Sequence, residues 1–338
     1  MNGILYDDID EIARRCSEYA ECFLNKSFLI TGATGLVGFL LVNSLLRMND
    51  KYDANIHIIV TTRDKNRAAE QFDGLDVLIY NNDEPIKETI DYIIHCASPT
   101  QSKIYVENPV ETMDAIIFGT RKMLELAKEK QVKKFIYISS MEAYGTISQN
   151  DKVSENELGF IPLDSARSSY PEGKRTAELY TYVFAKEFGV PTVSARLAMC
   201  FGAGIRKGDN RVHKSFCENA LSGQNIIMKS SGETMVNFVY SVDAVVALLT
   251  LSAKGEDGEV YNVCGDSHGE TILDMAKIVA EIGGVDVVRE KSTEEKRFAP
   301  DNRMILSNDK MRSLGWEPVF DLRDSLKRLF YYLKQEKE

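Results

Sequence analysis

Few features of this chain point to a metal, a redox disulfide or a membrane. Only four histidines occur in 338 residues. None has a ligand-like spacing, so no metal site is expected. The six cysteines, at positions 16, 22, 96, 200, 217 and 264, contain no C-x-x-C pair. Cys96 and Cys200 lie in apolar or strand-like runs that suit buried, inert thiols. Positive charge is also short: 41 Lys and Arg stand against 51 Asp and Glu, a net charge of -10. That balance argues against a nucleic-acid-binding surface, and an anionic ligand would need a local basic pocket. No stretch reaches the ~20 apolar residues of a membrane span. Residues 7–24 are acidic and amphipathic, not a basic segment followed by an apolar run. A soluble, cytoplasmic protein is expected. Internal repeats and low-complexity segments are lacking too. What remains, with 44% hydrophobic residues, can bury a full core.

Short apolar runs at 28–31, 56–61, 76–80, 91–96, 134–139 and 190–197 read as strands. Helical stretches at 39–48, 109–130 and 171–188 lie among them, and a helical stripe over 7–24 precedes them. Near-continuous apolar strands separated by helices predict a parallel sheet covered on both faces, an α/β doubly wound fold of the Rossmann type. Past residue 198 the rhythm breaks into glycine-rich connections, with helices expected at 211–222 and 271–282. This gives three expected units: a helical extension over 1–26, a dinucleotide-binding domain over 27–197 and a smaller substrate-binding lobe over 198–338. Residues 236–251 could rejoin the second unit.

The run Phe28-Leu-Ile-Thr-Gly-Ala-Thr-Gly-Leu-Val-Gly38 carries most information. A strand ends in Gly32, Gly35 and Gly38, and a helical pattern follows. Such glycines allow a tight turn, close approach of a pyrophosphate and close helix packing, with helix-start amides facing the phosphates. The second strand ends Ile59-Val-Thr-Thr-Arg-Asp64, where an acidic residue would usually hold the adenosine ribose. Arg63 could take a 2′-phosphate, stack on adenine or simply be solvated, so NAD and NADP are not separated. Tyr170 and Lys174 stand one helical turn apart, downstream of Ser139 and Ser140. A lysine there favours the phenolate of a tyrosine whose ordinary pKa is near ~10. A Tyr and Lys sharing a surface helix face are also common; the glycine turn and Ser140 favour chemistry.

Taken together, several segments resemble the extended short-chain dehydrogenase/reductases of the nucleotide-sugar epimerase and dehydratase group, from about residue 26 to 330. They are Thr31-Gly-Ala-Thr-Gly-Leu-Val-Gly38, His95-Cys-Ala-Ser-Pro99, Asn108-Pro-Val-Glu-Thr112, Ser139-Ser-Met-Glu-Ala-Tyr-Gly145, Tyr170-Pro-Glu-Gly-Lys174 and Leu314-Gly-Trp-Glu-Pro318. Ser98-Pro99, Tyr105, Arg167-Ser-Ser-Tyr-Pro-Glu-Gly-Lys-Arg175 and Asn210-Arg-Val212 resemble the UDP-glucuronate decarboxylases (UDP-xylose synthases) within that group. The resemblance implies a transient oxidation at carbon 4 of a nucleotide sugar. Tyr170 would be the base, Ser140 would position the oxygen, and Lys174 would lower the tyrosine pKa. Glu142 would act as acid/base near carbon 5. The implied cofactor set is Gly32, Thr34, Gly35, Leu36, Val37, Gly38, Arg63, Ala97, Ser98, Tyr170, Lys174 and Leu197, for NAD with NADP not excluded. The implied substrate set is Ser98, Tyr105, Ser140, Arg211 and Arg297, although either arginine could be a solvated surface residue.

The departures from the group fall in the substrate half. Met141 stands where dehydratases carry an aspartate, Val236 where most members have an arginine, and Met199 and Ile116 where asparagines are frequent. The turn after Met199 reads Phe201-Gly-Ala203. Decarboxylation of a UDP-uronate is therefore the leading expectation, with 4-epimerisation and then 4,6-dehydration behind it. A catalytically quiet cofactor-binding regulator on the same fold is the alternative outside enzymes; the joint presence of Ser140, Glu142, Tyr170 and Lys174 weighs against it. The resemblance also implies a homodimer through helices 109–130 and 171–188, with Met113, Ile117, Met123, Tyr180 and Phe184 as anchors where they do not face the sheet.

Overall fold

A computed structural model describes residues 3–147, 152–266, 268–290 and 303–337. Six parallel strands come from the first 200 residues: β1 (Ser27–Thr31), β2 (His57–Thr62), β3 (Val77–Asn81), β4 (Tyr92–His95), β5 (Lys134–Ser140) and β6 (Thr192–Leu197). A seventh, Glu259–Val263, was not expected from sequence and pairs in parallel with β6. The order across the sheet is Glu259–Val263, β6, β5, β4, β1, β2, β3.

Burial on both faces explains the continuous apolar runs. Phe28 and Ile30 of β1 point into one core layer, with Ile58, Val60, Ile94 and Ile136. Leu29 points into the other, with Ile59, Ile93, Phe135 and Tyr137. The first layer is covered by α1 (Gly3–Arg15), α3 (Leu36–Tyr52) and the helix Ser241–Lys254; α6 (Pro109–Lys130) and α7 (Ser169–Phe188) cover the second. Two short helices, α4 (Lys65–Gln71) and α5 (Ser102–Glu107), occupy connections.

The N-terminal stripe is not one helix. It breaks after Arg15, passes through a single turn at Ser17–Tyr19 and ends in α2 (Ala20–Phe23). Nor is it an appendage: Ile12, Ala13, Cys16 and Phe23 are completely buried. Asp8 accepts from Tyr240 at 2.6 Å and from Arg328 at 2.8 Å, and Arg15 pairs with Asp243 at 2.5 Å. These bonds fasten the first helix to the end of the chain. Beyond β6, short strand pairs and the helices Val212–Leu221, Ile272–Gly283 and Leu322–Gln335 build the remaining layer. Among the described residues no helix is long and apolar enough to cross a membrane.

This topology positions the site. From β1 the sheet grows through β2 and β3 in one direction and through β4, β5 and β6 in the other. Ligands of such sheets bind beyond the carboxyl ends of the strands where the order reverses. Here that crevice opens between the loops after β1 and β4.

Candidate active site

The turn after β1 can only be built from glycine at two positions. Gly32 has φ +63°, and a Cβ there would lie 2.8 Å from the Ala97 nitrogen. A Cβ on Gly38 would lie 2.6 Å from the Gly32 carbonyl oxygen. Gly35 caps α3 with no side-chain hydrogen bond, and no acidic residue stands in the first turn. The amides at Leu36 and Val37 are therefore left to an anionic ligand. Thr31 Oγ1 accepts from the Ala97 amide at 3.0 Å and bonds His95 Nδ1 at 2.7 Å, which ties the ends of β1 and β4 together. Ala97 and Ser98 thus line the crevice opposite the glycine turn, and Leu197 ends β6. A shallow cradle, uncapped amides and no competing carboxylate fit a dinucleotide pyrophosphate.

The residues expected to react gather at the end of β5 and the start of α7. Ser140 closes β5, and its hydroxyl accepts from the Glu142 amide at 3.2 Å. Tyr170 and Lys174, on the first turns of α7, are both buried. Lys174 Nζ donates to the Ile138 carbonyl at 2.7 Å and lies 5.7 Å from the centre of the Tyr170 ring. Burial pulls the Lys174 pKa down to about 7, against the charge of Glu178. Burial also pushes the Tyr170 phenol up, helped by the charge of Glu142, while the Ser140 hydroxyl works the other way.

Glu142 sits opposite this pair. It accepts from the Tyr105 hydroxyl at 3.3 Å and from Arg167 Nη2 at 3.3 Å. Burial raises its pKa, with Arg167 and Tyr105 opposing. Tyr105 stacks on Tyr170 with ring centres 4.8 Å apart, so one aromatic pair links Glu142 to Tyr170. Ser102 holds the Tyr105 hydroxyl at 2.7 Å and Ser169 holds its carbonyl at 3.0 Å.

Not every expected residue is free for a ligand. Arg211 forms a two-pronged pair with Asp209, at 2.7 and 3.1 Å, and also donates to the Cys200 carbonyl. Its charge still reaches Tyr170. Arg297 lies outside the described residues. Arg63 follows β2 and is exposed. Three residues were missed. Arg167 precedes Tyr170 by three positions, a spacing that could have raised it. Glu178, one turn after Lys174, holds Arg196 at 2.7 and 2.9 Å and takes a short bond from Ser139. Arg206, with no signal in the sequence, donates to the Thr34 carbonyl at 2.7 Å and to its hydroxyl at 2.9 Å. Among the described residues no cluster of His, Cys, Asp or Glu could hold a metal ion.

Residues 28–264 match the profile of the NAD dependent epimerase/dehydratase family. The chain belongs to this family. Its cofactor is NAD, and the cradle after β1 fits the pyrophosphate of such a dinucleotide. The family member described here is 30% identical over 319 residues to UDP-glucuronic acid decarboxylase 1 of Xenopus tropicalis, covering 93% of this chain and 73% of that protein. It is 28% identical over 304 residues to UDP-glucuronic acid decarboxylase 6 of Arabidopsis thaliana, covering 89% and 87%. Among solved structures it resembles the UDP-glucose 4-epimerase of Thermotoga maritima with a TM-score of 0.78 and 26% identity, covering 92% of this chain and all of that one.

Proposed function

We propose that this enzyme decarboxylates a UDP-uronate, most simply UDP-glucuronate, through a transient 4-keto sugar. The observation that carries the reading is Glu142, a carboxyl with a raised pKa held by Tyr105 and Arg167 next to the Ser140–Tyr170–Lys174 group. The decarboxylases among its relatives support it.

NAD, when bound, supplies the reversible two-electron oxidation at carbon 4 of the sugar. Tyr170 takes the proton of the 4-hydroxyl, and Ser140 holds that oxygen in place. Lys174, behind the phenol, stabilises the phenolate in its charged form. With a ketone at carbon 4, a carboxylate at carbon 6 belongs to a β-keto acid. The bond from carbon 5 to carbon 6 breaks, carbon dioxide leaves, and the electron pair passes to the enolate. Glu142 then protonates carbon 5, a role for which a raised pKa suits it. Tyr170 returns its proton to the oxygen as carbon 4 is reduced.

Dehydration is disfavoured by Met141, which has no proton to give a departing hydroxyl. The second reading is 4-epimerisation, which the likeness to a solved 4-epimerase favours. Incubating the enzyme with UDP-, dTDP-, CDP- and GDP-sugars and weighing the products separates the reactions. Loss of carbon dioxide supports the proposal; unchanged mass or loss of water overturns it.

We also infer a homodimer through α6 and α7. Phe118 and Leu179 are each 60% exposed, and Tyr182, Val183 and Phe188 continue the apolar strip. A groove of about 350 Å³ lies between the two helices, lined by Tyr180, Val183, Phe184 and Phe188 and rimmed by the charged Arg121, Glu125, Lys128 and Glu187. Two anchors must be reassigned: Met123 and Phe184 are 8% and 7% exposed, packed in the core layer beneath α6 and α7. Unpaired thiols throughout suit a reducing, cytoplasmic compartment.

A further inference from the structure

Next to Lys174 on α7 stands Arg175, which turns its guanidinium onto the segment that carries Glu142. Its Nε and Nη2 donate to the Ala143 carbonyl at 3.1 and 2.9 Å. Nη2 also donates to the Tyr144 carbonyl at 3.2 Å and to the Gly159 carbonyl at 3.1 Å. Ala143 and Tyr144, both completely buried, end the single turn Met141–Tyr144. The last carbonyls of a helical turn find no donor inside it. The Gly159 amide supplies one more bond, to the Tyr144 carbonyl at 2.8 Å, and Thr146 and Phe160 exchange two at 2.8 and 3.1 Å. Arg175 thus joins three segments: α7, the turn of Glu142 and the chain around Gly159. Glu172, three positions earlier on α7, pairs with the guanidinium at 3.6 Å. The Glu142 carboxyl is held separately, by Tyr105 and Arg167.

We propose that Arg175 is a positioning residue, which fixes the Met141–Tyr144 turn against α7 so that Glu142 reaches carbon 5 of the sugar whose 4-hydroxyl Tyr170 deprotonates. The inference rests on the proposed reaction for what Glu142 does. One rigid helix then sets the spacing of both groups: Tyr170 rides on its first turn, and Arg175 grips the turn of Glu142 from its second. Charge-assisted bonds from a planar guanidinium are stronger than neutral ones, and its fork reaches several carbonyls at once. A lysine ammonium is a point charge and cannot span all three. Without the fork, buried carbonyls of the turn lose their donor, and the turn must shift to find others. Proton transfer is sensitive to such a shift, since a misplacement of about 1 Å can cost on the order of 100-fold. Hydride transfer at carbon 4 does not use Glu142 and is spared.

Single-turnover stopped flow of the full chain with NAD and UDP-glucuronate tests this, comparing the wild type with Arg175→Lys, which keeps the charge, and Arg175→Met, which removes it. In both variants reduced nicotinamide should form at nearly the wild-type rate and decay more slowly by about tenfold or more, with KM little changed. Hydrogen exchange read by mass spectrometry should quicken over residues 141–146 in both variants and match the wild type elsewhere. Formation and decay slowed alike would leave Arg175 a purely structural role and overturn the proposal. Decay at the wild-type rate, or unchanged exchange over 141–146, overturns it as well. Carbon dioxide from the wild type with no selective effect of either variant removes the positioning role alone. No carbon dioxide from the wild type removes the decarboxylase reading, and the exchange over 141–146 then decides whether Arg175 holds the turn.

Discussion

Burial does opposite service to Glu142 and Tyr170, the two groups that exchange protons with the sugar in the proposed reaction. For Glu142 burial raises the pKa against Arg167 and Tyr105, the direction that favours a proton donor. For Tyr170 the same effect opposes ionisation, with the Ser140 hydroxyl and the charge of Arg211 working against it. Their roles should therefore separate in time. Tyr170→Phe removes the first base, and no reduced nicotinamide should form with any sugar. Glu142→Gln keeps the shape but loses the proton, so reduced nicotinamide should accumulate in a single turnover, with the overall rate down on the order of 100-fold or more. Stopped-flow absorbance reads both. A fully active Tyr170→Phe contradicts the base assignment; normal turnover of Glu142→Gln leaves the glutamate a structural role. Much of this was legible in the chain, because Ser140, Glu142, Tyr170 and Lys174 sit at fixed spacing on one strand end and one helix start. Arg206 was not, since the fold alone brings it to Thr34 across 172 positions.

At the scale of elements, α1 is held by a carboxylate that is expensive to ionise. Burial pushes the Asp8 pKa from 3.8 up to about 6, against Tyr240 and Arg328. The folded state thus keeps a proton that the unfolded chain gives up between these values. The contribution of Asp8 is complete below about pH 4 and is lost as pH rises through about 6. Relative to Asp8→Asn, which does not titrate, the wild type should lose on the order of 3 kcal/mol across that window. Urea unfolding of both proteins at about pH 4.5 and about pH 7 measures the difference. A gap that widens with pH would show instead that the pair with Arg328 dominates. Strands β1, β2, β4, β5 and β6 were readable because each is an apolar run buried on both faces, and the edge strand β3, only partly buried, because 77–80 is an unbroken apolar run. Glu259–Val263 was not, because its edge position leaves polar residues in the run. The stop after Arg15 was also invisible, since the apolar stripe continues through Cys16, Tyr19 and Phe23.

For the whole molecule, the exposed strip on α6 and α7 predicts assembly. The wild type should sediment as a dimer at micromolar concentration, and Phe118→Asp with Leu179→Asp should sediment as a folded monomer. Both side chains are exposed in the single chain, so their loss should leave its thermal unfolding nearly unchanged. A wild-type monomer at that concentration contradicts the assignment.

The central claim is that the bond between carbons 5 and 6 of a uronate breaks in this site. UDP-glucuronate labelled with ¹³C at carbon 6 tests it directly. The account predicts labelled carbon dioxide and an unlabelled UDP-pentose from the wild type, with neither formed by Tyr170→Phe. Label retained in a sugar of unchanged mass, inverted at carbon 4, would contradict decarboxylation and make the protein a 4-epimerase.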